Sequence, residues 1–273
     1  MAPRARSGSG DGAARAAAFF DLDRTLMAGS SGLPYARAAH RAGWLSSKTM
    51  LRWGLDHLRF RLRGADEEST ARILAEAREV LTGVELKEVT RMTPDVLVAI
   101  LPRIYPEMLA EVHSHQDAGR ATVIVSAAGS GIVETLARVL DMDAGIGTPY
   151  AVGEDGRFNG ELDGPFMYGT GKEEALQRFA EENGVDLGAS WAYSDSVSDL
   201  PMLRAVGNPV AVNPDDELAR IARDEGWRVM RFERLGRRLA LIAAALTALA
   251  VGAARAIMGS RRPPPSRIPA LRR

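Results

Sequence analysis

The chain has 273 residues, of which 46% are hydrophobic and 26% charged; this is enough apolar sequence to bury a sizeable core and excludes a disordered or fibrous protein. It contains no cysteine, which excludes disulfides, thiolate metal sites and a cysteine nucleophile. Because 35 basic residues balance 35 acidic ones, the chain as a whole lacks the basic character of a nucleic-acid-binding protein, and no nucleic-acid partner is expected.

Three short apolar runs that end abruptly in polar residues predict parallel strands. They follow a small, polar and basic stretch at 1–15, which predicts a disordered tail. The runs lie at 16–20, 121–125 and 191–193, and they lead into Asp21, Ser126 and Asp195. Since sites in parallel α/β proteins lie at the carboxyl ends of the strands, we expect these endings to meet along one edge of a sheet.

The stretch between the first two strands, 32–111, contains no convincing strand. Its apolar spacing near 3.6 residues predicts an insert of four or five helices. Later patterns predict a β-hairpin at 148–165, a helix at 171–183, and strands at 210–212 and 227–232 separated by a helix. The predicted fold class is α/β, with a Rossmann-like parallel sheet core, a helical cap inserted after the first strand and a C-terminal hydrophobic helix.

The acidic sequence Asp21-Leu22-Asp23 directly follows the first strand. If the chain turns just past the strand, both carboxylates face the site, one as nucleophile or metal ligand and the other as proton shuttle. A turn with two solvated carboxylates is the alternative interpretation of the tripeptide taken alone.

Two further polar residues lie at element ends. Ser126 ends the second strand, where its hydroxyl and nearby backbone N–H groups suit an oxyanion; an ordinary strand-end or N-cap serine is the alternative. Lys172 falls in the first turn of a predicted helix, where the helix dipole disfavours a cation, so a neighbouring anion is expected. A solvated surface lysine is the other interpretation.

Asp195 and Asp199 follow the third strand in the sequence YSDSVSDLPML. A spacing of four places both on one side of a turn that leads into a helix, an arrangement suited to a hard divalent cation with oxygen ligands. Alternatively, Asp199 simply caps the helix that begins near Leu200.

Taken in order, these four motifs resemble those of the haloacid dehalogenase-like hydrolases. The resemblance covers roughly residues 16–232. The helical insert after the first motif is similar to the cap of the phosphoserine phosphatase-like branch. The motif residues are Asp21 and Asp23 in DLDRTL, the strand-end Ser126, the helix-start Lys172, and Asp195 and Asp199 in SDSVSDLPML.

The resemblance implies a phosphatase that forms an aspartyl-phosphate on Asp21, with Asp23 as general acid and base. It implies that Ser126 and Lys172 hold the phosphoryl oxygens. Mg²⁺ is the implied cofactor, bound by the Asp21 carboxylate, the Asp23 carbonyl and Asp195, with Asp199 ordering metal-bound waters or Lys172.

Two departures from the family pattern bear on the substrate. Phosphoserine phosphatases carry an acidic residue shortly after the first motif, where this chain has Met-Ala-Gly-Ser-Ser at 27–31. They also commonly have an asparagine where Ser198 stands. The expected substrate is therefore a small-molecule or lipid phosphate monoester other than phosphoserine.

The C-terminal part changes character. Residues 239–254 carry no charge, and the apolar stretch continues to 258, roughly the length that crosses a bilayer. This stretch predicts a helix that associates with the membrane. Three arrangements stay open: the helix spans the bilayer, lies on its surface, or packs on protein instead. The catalytic domain is then expected to be cytoplasmic, with a membrane-associating helix at 233–258 and a basic tail at 259–273.

The zero net charge conceals a strong asymmetry. Residues 16–226 carry net −12, whereas 1–15 carry +2 and 227–273 carry +10. A basic arm around an apolar helix suits anionic lipid headgroups.

We expect a core formed by 16–31 and 112–232 and a cap at 32–111. The rival interpretations are a phospho-aspartate receiver module and a catalytically silent membrane scaffold on the same fold.

Overall fold

A computed structural model describes residues 15–46 and 67–232. The chain divides into two units, Met1–Met230 and Arg231–Arg273. The predicted N-terminal tail up to residue 14, the cap segment 47–66 and the C-terminal stretch from 233 onward, including the hydrophobic helix and the basic tail, lie outside the described residues. Within 15–46 and 67–232, no helix combines the length and the apolar character needed to cross a membrane.

The described strands are β1 (Ala17–Phe20), β2 (Ala121–Gly129), β3 (Ala144–Thr148), β4 (Tyr150–Val152), β5 (Phe158–Leu162), β6 (Trp191–Ser194), β7 (Asn208–Val212) and β8 (Arg228–Met230). Six of them form an entirely parallel sheet in the order β3-β2-β1-β6-β7-β8, which confirms the predicted α/β class. A separate antiparallel pair, β4-β5, is the predicted hairpin.

Helices fill the described part of the chain between β1 and β2 and connect the later strands. They are α1 (Gly32–Arg41), α2 (Glu67–Leu81), α3 (Leu86–Ile100), α4 (Pro106–Asp117), α5 (Ser130–Val139), α6 (Thr170–Asn183), α7 (Leu200–Arg204) and α8 (Asp216–Asp224). Short 3₁₀ turns lie at Leu101–Arg103, Leu187–Ala189 and Val197–Asp199.

The central position of β1 aligns the three predicted strand endings. Phe20, its last residue, is opposite Ile124 of β2 and Tyr193 of β6. All four residues of β1 are buried, as expected for a strand covered on both faces. The residues that follow these three strands therefore emerge side by side at one edge of the sheet.

One strand was not predicted. β3 has the sequence Ala-Gly-Ile-Gly-Thr, and glycine is depleted in strands, so neither alternation nor β-propensity marks it. Close packing explains its composition: a Cβ at Gly145 would lie 2.4 Å from the Val133 carbonyl oxygen, and one at Gly147 would lie 2.6 Å from that of Ala128. The helix that follows β2 therefore packs against a backbone without side chains at these two positions.

Successive residues of β1 pack on opposite faces of the sheet. Phe19 meets Phe179 of α6 edge to face, with ring centroids 5.7 Å apart. Phe20 stacks on Tyr193 at 4.6 Å and meets His115 of α4 edge to face. The sheet is thus covered by α6 on one face and by α4 on the other.

A buried polar chain lies on the α4 face. The Tyr193 hydroxyl donates to Glu111 (2.9 Å), so it accepts from His115 Nε2 (2.8 Å). Arg120 Nη1 lies 3.2 Å from His115 Nδ1, which therefore accepts. This pattern requires a neutral imidazole, and burial together with Arg120 lowers the pKa of His115 to about 4.

This histidine predicts a loss of stability in acid. The pKa of His115 is lower in the folded chain than in the unfolded one, so its contribution is complete above pH ~6.5 and declines as the pH falls toward 4. Between pH 7 and pH 4.5 the free energy of unfolding is expected to fall by about 2 kcal/mol more in the parent than in His115→Gln. Urea titrations at both pH values measure this difference, and equal losses in the two proteins would contradict it.

Candidate active site

Lys172 lies between two acidic side chains at the sheet edge. Its Nζ donates to Asp21 Oδ1 at 2.6 Å and to Asp199 Oδ2 at 2.7 Å. Only 3% of Lys172 is exposed. The anion expected beside this lysine is therefore present, and the solvated-surface interpretation is wrong.

Two glycines allow Lys172 to reach this position. Gly169 has φ +56°, in the left-handed region that glycine tolerates best. A Cβ on Gly171 would lie 1.9 Å from the Phe166 carbonyl oxygen, so the first turn of α6 fits against the preceding segment only without a side chain there. The sequence Gly-Thr-Gly-Lys thus directs the lysine toward the end of β1.

Asp199 occupies the N-cap position of α7 but makes no side-chain capping hydrogen bond. Its Oδ2 instead accepts from Ser194 Oγ at 2.7 Å and from Lys172. The helix-cap interpretation is therefore wrong, because the Asp199 side chain contacts Lys172 and Ser194 instead. Ser194 was not singled out from the sequence, although it directly precedes Asp195 at the end of β6.

The carboxylate of Asp23 is held by two donors from the start of α1. Ser30 Oγ donates to Asp23 Oδ2 at 3.0 Å, and the Ser31 backbone N–H donates to Oδ1 at 2.9 Å. Asp23 is therefore fixed rather than freely solvated. Sequence reasoning missed Ser30, and its only signal was a serine pair just before a predicted helix.

If Asp23 is the general acid and base that the family resemblance implies, removing the Ser30 hydroxyl is expected to slow turnover without unfolding the protein. In Ser30→Ala, Asp23 keeps the Ser31 donor but loses one fixed contact, so we expect kcat to fall about tenfold with little change in KM. Steady-state kinetics measure the effect. Ser30→Thr, which retains a hydroxyl, is the control and should recover most of the rate; an unchanged kcat in Ser30→Ala would show that Asp23 does not need this contact.

Asp195 is buried beside Arg24. Its Oδ1 accepts from Thr25 Oγ1 at 3.5 Å, and Arg24 Nε lies 3.2 Å from Oδ2. That Oδ2 has no hydrogen bond of acceptable geometry. Arg24 has φ +63°, an uncommon conformation for arginine, and it was not assigned a role from the sequence.

Ser126 is also buried at this edge, and its hydroxyl accepts from the Ala128 backbone N–H at 3.2 Å. The N-cap of α5 is Gly129, so Ser126 is not the capping residue. β2 continues past Ser126 to Gly129 with an irregular register against β3, and the predicted end of this strand was therefore too early.

One cavity of about 1150 Å³ brings all the predicted site residues together. It is lined by Asp21, Asp23, Ser126, Lys172, Asp195 and Asp199, and it extends to α1, α2, α3 and the β4–β5 hairpin. The three strand endings and the start of α6 therefore form one site, as expected from the order of the motifs.

The site carries more negative than positive charge. Burial raises the pKa of Asp21 to about 7, although Lys172 opposes the shift. Burial also raises the pKa of Asp195 well above its usual value, against the effect of Arg24. Burial alone would lower the pKa of Lys172, but Asp199 and Asp21 raise it above its ordinary value, so the lysine stays charged. Four carboxyl groups thus share two cations.

This donor set fits a hard divalent cation. Asp21 and Asp195 offer carboxylate oxygens, one of them without a hydrogen bond, and a dipositive ion would balance the excess charge. Among the described residues, no three His, Cys, Asp or Glu side chains group as a metal site. A set of two carboxylates and one backbone carbonyl does not require a third acidic side chain.

Comparison with known proteins agrees with this arrangement. A family model for haloacid dehalogenase-like hydrolases matches residues 18–204. The inhibition of morphological differentiation protein of Streptomyces azureus is 38% identical over 221 residues, 81% of this chain and 79% of that protein. Phosphoserine phosphatase SerB1 of Mycobacterium tuberculosis is 35% identical over 258 residues, 90% of this chain and 81% of that protein.

A solved structure shows the same fold. A protein of unknown function from Bordetella pertussis Tohama I superposes with a TM-score of 0.69 at 27% identity, over 80% of this chain and 99% of that one. Together with the family match and the acidic site at the sheet edge, these relatives establish that the chain belongs to the haloacid dehalogenase-like hydrolases, in their phosphoserine phosphatase-like branch, and is a phosphatase.

Proposed function

We propose that the protein is a Mg²⁺-dependent phosphomonoester hydrolase that acts on a small or amphiphilic phosphate monoester through an aspartyl-phosphate on Asp21. The observation that carries the proposal is the buried contact of Lys172 with both Asp21 and Asp199 on the cavity wall. A carboxylate can attack an anionic phosphate only where nearby cations offset the repulsion, and Lys172 provides one of them.

In the first step an Asp21 carboxylate oxygen attacks phosphorus, and the bond between phosphorus and the ester oxygen breaks. Asp23, held by Ser30 and Ser31, gives its proton to the departing alkoxide. In the second step Asp23 takes a proton from a water molecule that attacks the phosphoryl group. Inorganic phosphate leaves, and Asp21 is restored as a carboxylate.

Binding of the phosphoryl oxygens falls to Ser126 and Lys172. The Ser126 hydroxyl accepts from Ala128, which leaves its own hydrogen for a phosphoryl oxygen. The lysine remains charged because two carboxylates flank it. Phosphoryl transfer depends mainly on such positioning and charge stabilisation.

Mg²⁺ is proposed as the cofactor, held by the Asp21 carboxylate, the Asp23 carbonyl and Asp195. When bound, it would neutralise charge on the phosphoryl group and orient it toward Asp21. The surplus of carboxyl groups over cations and the Asp195 Oδ2 atom, which accepts no hydrogen bond although Arg24 lies 3.2 Å away, support this assignment. Asp199 is proposed to order Lys172, which it contacts directly.

The domain division is also proposed: a core of 16–31 and 112–232 and a cap of 32–111. The placement of α1, α2 and α3 between β1 and β2 supports it, whereas α4 spans the proposed boundary at 111 and packs on the core sheet. The helices α1, α2 and α3 line the cavity in front of Asp21, which does not suit a receiver module that must present its aspartate to partner proteins. A silent scaffold would not need six polar motif residues on one cavity.

A phosphatase screen tests the proposed function. Purified protein is incubated with p-nitrophenyl phosphate, sugar phosphates, nucleotides and lipid phosphates, with Mg²⁺ or with EDTA. We expect multiple turnovers that require Mg²⁺. A single stoichiometric release of leaving group would favour the receiver, and no release from any ester would favour the scaffold.

Membrane association through 239–258 also stays a proposal, supported by the uncharged run in that stretch and the basic residues around it. The catalytic domain is proposed to be cytoplasmic. Deleting the residues from Leu239 onward should therefore move the protein from the membrane fraction to the supernatant. Unchanged fractionation would count against it.

A further inference from the structure

The cavity in front of Asp21 is larger than a phosphoryl group and a short alcohol need. Its volume of about 1150 Å³ exceeds the roughly 300–1,000 Å³ of typical ligand pockets. We define the apolar chamber as the part of this cavity away from the sheet edge, bounded by α1, α2, α3, the β4–β5 hairpin and Phe166. It is continuous with the phosphate-binding end, because one cavity contains both.

The walls of the apolar chamber consist mainly of aliphatic and aromatic side chains. They include Leu33, Leu45, Val80, Val89, Leu97 and Phe166. Leu45 and Leu97 are buried, and the other four are half-buried. Water in contact with such walls is readily displaced by an apolar group, and this displacement is the main source of affinity that the chamber offers.

Charged side chains at the chamber lie largely at its edges. Arg24 is engaged with Asp195 at the phosphate end. Arg37 and Glu134 are exposed and so lie at the solvent edge, and Glu76 is half-buried on α2. A compact zwitterionic alcohol such as serine would need paired charges close to the phosphate; among the described residues, the apolar wall offers only Glu76 away from the solvent edge.

The polar side chains on the described wall of the chamber include two tyrosines. Tyr35 and Tyr150 line it, and burial raises the pKa of each phenol above its ordinary value. They remain neutral at physiological pH and offer hydrogen bonds to a hydroxyl or ester oxygen. Apolar walls together with neutral hydroxyl groups suit an amphiphilic ligand better than one that carries several charges.

The direction of the reaction places the leaving group in the apolar chamber. In phosphoryl transfer the leaving oxygen lies roughly in line with the attacking oxygen, on the far side of phosphorus. Asp21 attacks from the end of β1, so the ester oxygen and its carbon chain point away from the sheet edge.

From this geometry we propose that the substrate is a phosphate monoester of a long-chain, amphiphilic alcohol whose alkyl part fills the apolar chamber. The inference deepens the proposed phosphatase function and rests on it. Two sources of substrate share this chemistry, a terminal phosphate monoester on an alkyl chain: an amphiphile dissolved as a monomer, and a lipid in a bilayer.

A chain-length series tests the proposal with the full-length protein. Ethyl, butyl, hexyl and octyl phosphate are compared as monomers in solution, with inorganic phosphate release as the signal. Burying one methylene is worth about a fourfold gain in affinity, so we expect kcat/KM to rise at least about tenfold from butyl to octyl phosphate. A constant or falling kcat/KM along the series overturns the proposal.

Two valines on α3 provide a matched pair of variants. Val89 lines the apolar chamber, whereas Val98 is 72% exposed. Val89→Asn should lower the ratio of kcat/KM for octyl over ethyl phosphate by at least about threefold, and Val98→Asn should leave that ratio unchanged. If the ratio of kcat/KM for octyl over ethyl phosphate is the same in the parent and both variants, the apolar chamber does not contribute to substrate recognition.

Controls separate this inference from the proposed function. Hydrolysis of p-nitrophenyl phosphate, measured in parallel, reports phosphatase chemistry without an alkyl chain. If that ester is hydrolysed but the chain-length series is flat, only the substrate class is wrong; if no ester is hydrolysed, the proposed function itself fails. The second arm of the experiment uses phosphatidic acid in phosphatidylcholine vesicles. If the enzyme hydrolyses phosphatidic acid, the substrate is a lipid in the bilayer. If it hydrolyses octyl phosphate but not phosphatidic acid, the substrate is a dissolved amphiphile.

Discussion

Asp21→Asn is expected to lower kcat by at least about 10³-fold, because an amide oxygen is a poor nucleophile toward phosphorus and the remaining groups only bind and polarise the ester. The other described carboxylates of the cavity are engaged elsewhere: Asp199 with Lys172 and Ser194, Asp23 with Ser30 and Ser31, and Asp195 with Arg24. Initial rates with p-nitrophenyl phosphate measure the loss. Activity close to that of the parent would show that another group attacks phosphorus.

The same substitution should not destabilise the fold. Burial raises the pKa of Asp21 to about 7, so its charged form is costly in the folded chain. An uncharged amide of the same size removes this cost, and the melting temperature should stay level or rise at pH 8. Asp163→Asn, at an exposed position, is the matched control and should leave both rate and melting temperature unchanged.

Lys172→Met is expected to cost about 3–5 kcal/mol of unfolding free energy in addition to most of the activity, because it leaves two buried carboxylates without their shared cation. The cost should depend on pH. Without the lysine, the pKa of Asp21 in the folded chain, which burial already raises above the unfolded value, rises further, so stability falls as the pH increases from 5.5 to 8. Urea titrations at the two pH values provide the measurement.

A double variant separates charge from catalysis. Lys172→Met with Asp199→Asn removes one carboxylate along with the cation, so we expect it to recover a large part of the lost stability but none of the activity. Lys172→Arg, which retains the charge, should remain folded. A Lys172→Met variant as stable as the parent at pH 8 would contradict the electrostatic account of the pair.

The placement of the site could be predicted because it depends on strand endings. Abrupt changes from apolar to polar residues at Asp21, Ser126 and Asp195 are visible in the sequence, and parallel pairing through β1 brings them together. Lys172 could be anticipated for a different reason, since a cation in the first turn of a helix requires an anion nearby.

Other features depend on packing that no local pattern encodes. β3 is a strand through its parallel pairing with β2, and its glycines lie against the backbone of the β2–α5 unit; both are tertiary effects. The hydrogen bond from Ser30 to Asp23 joins residues seven positions apart across a loop whose course composition does not determine. The dimensions of the cavity depend on how α1, α2 and α3 pack in front of the sheet. Apolar periodicity in the sequence predicts that these helices exist, but not how they pack.

The tight fit of Gly171 against the Phe166 carbonyl links two parts of the site that serve different purposes. Phe166 and Tyr168 stack on each other and line the cavity, and the Phe166 backbone touches the turn that presents Lys172. A substitution in this aromatic pair that displaced the Phe166 backbone would therefore also displace the turn that presents Lys172, the cation beside the nucleophile. Substitutions on α3, a separate part of the cavity wall, would leave the contact between Phe166 and Gly171 in place.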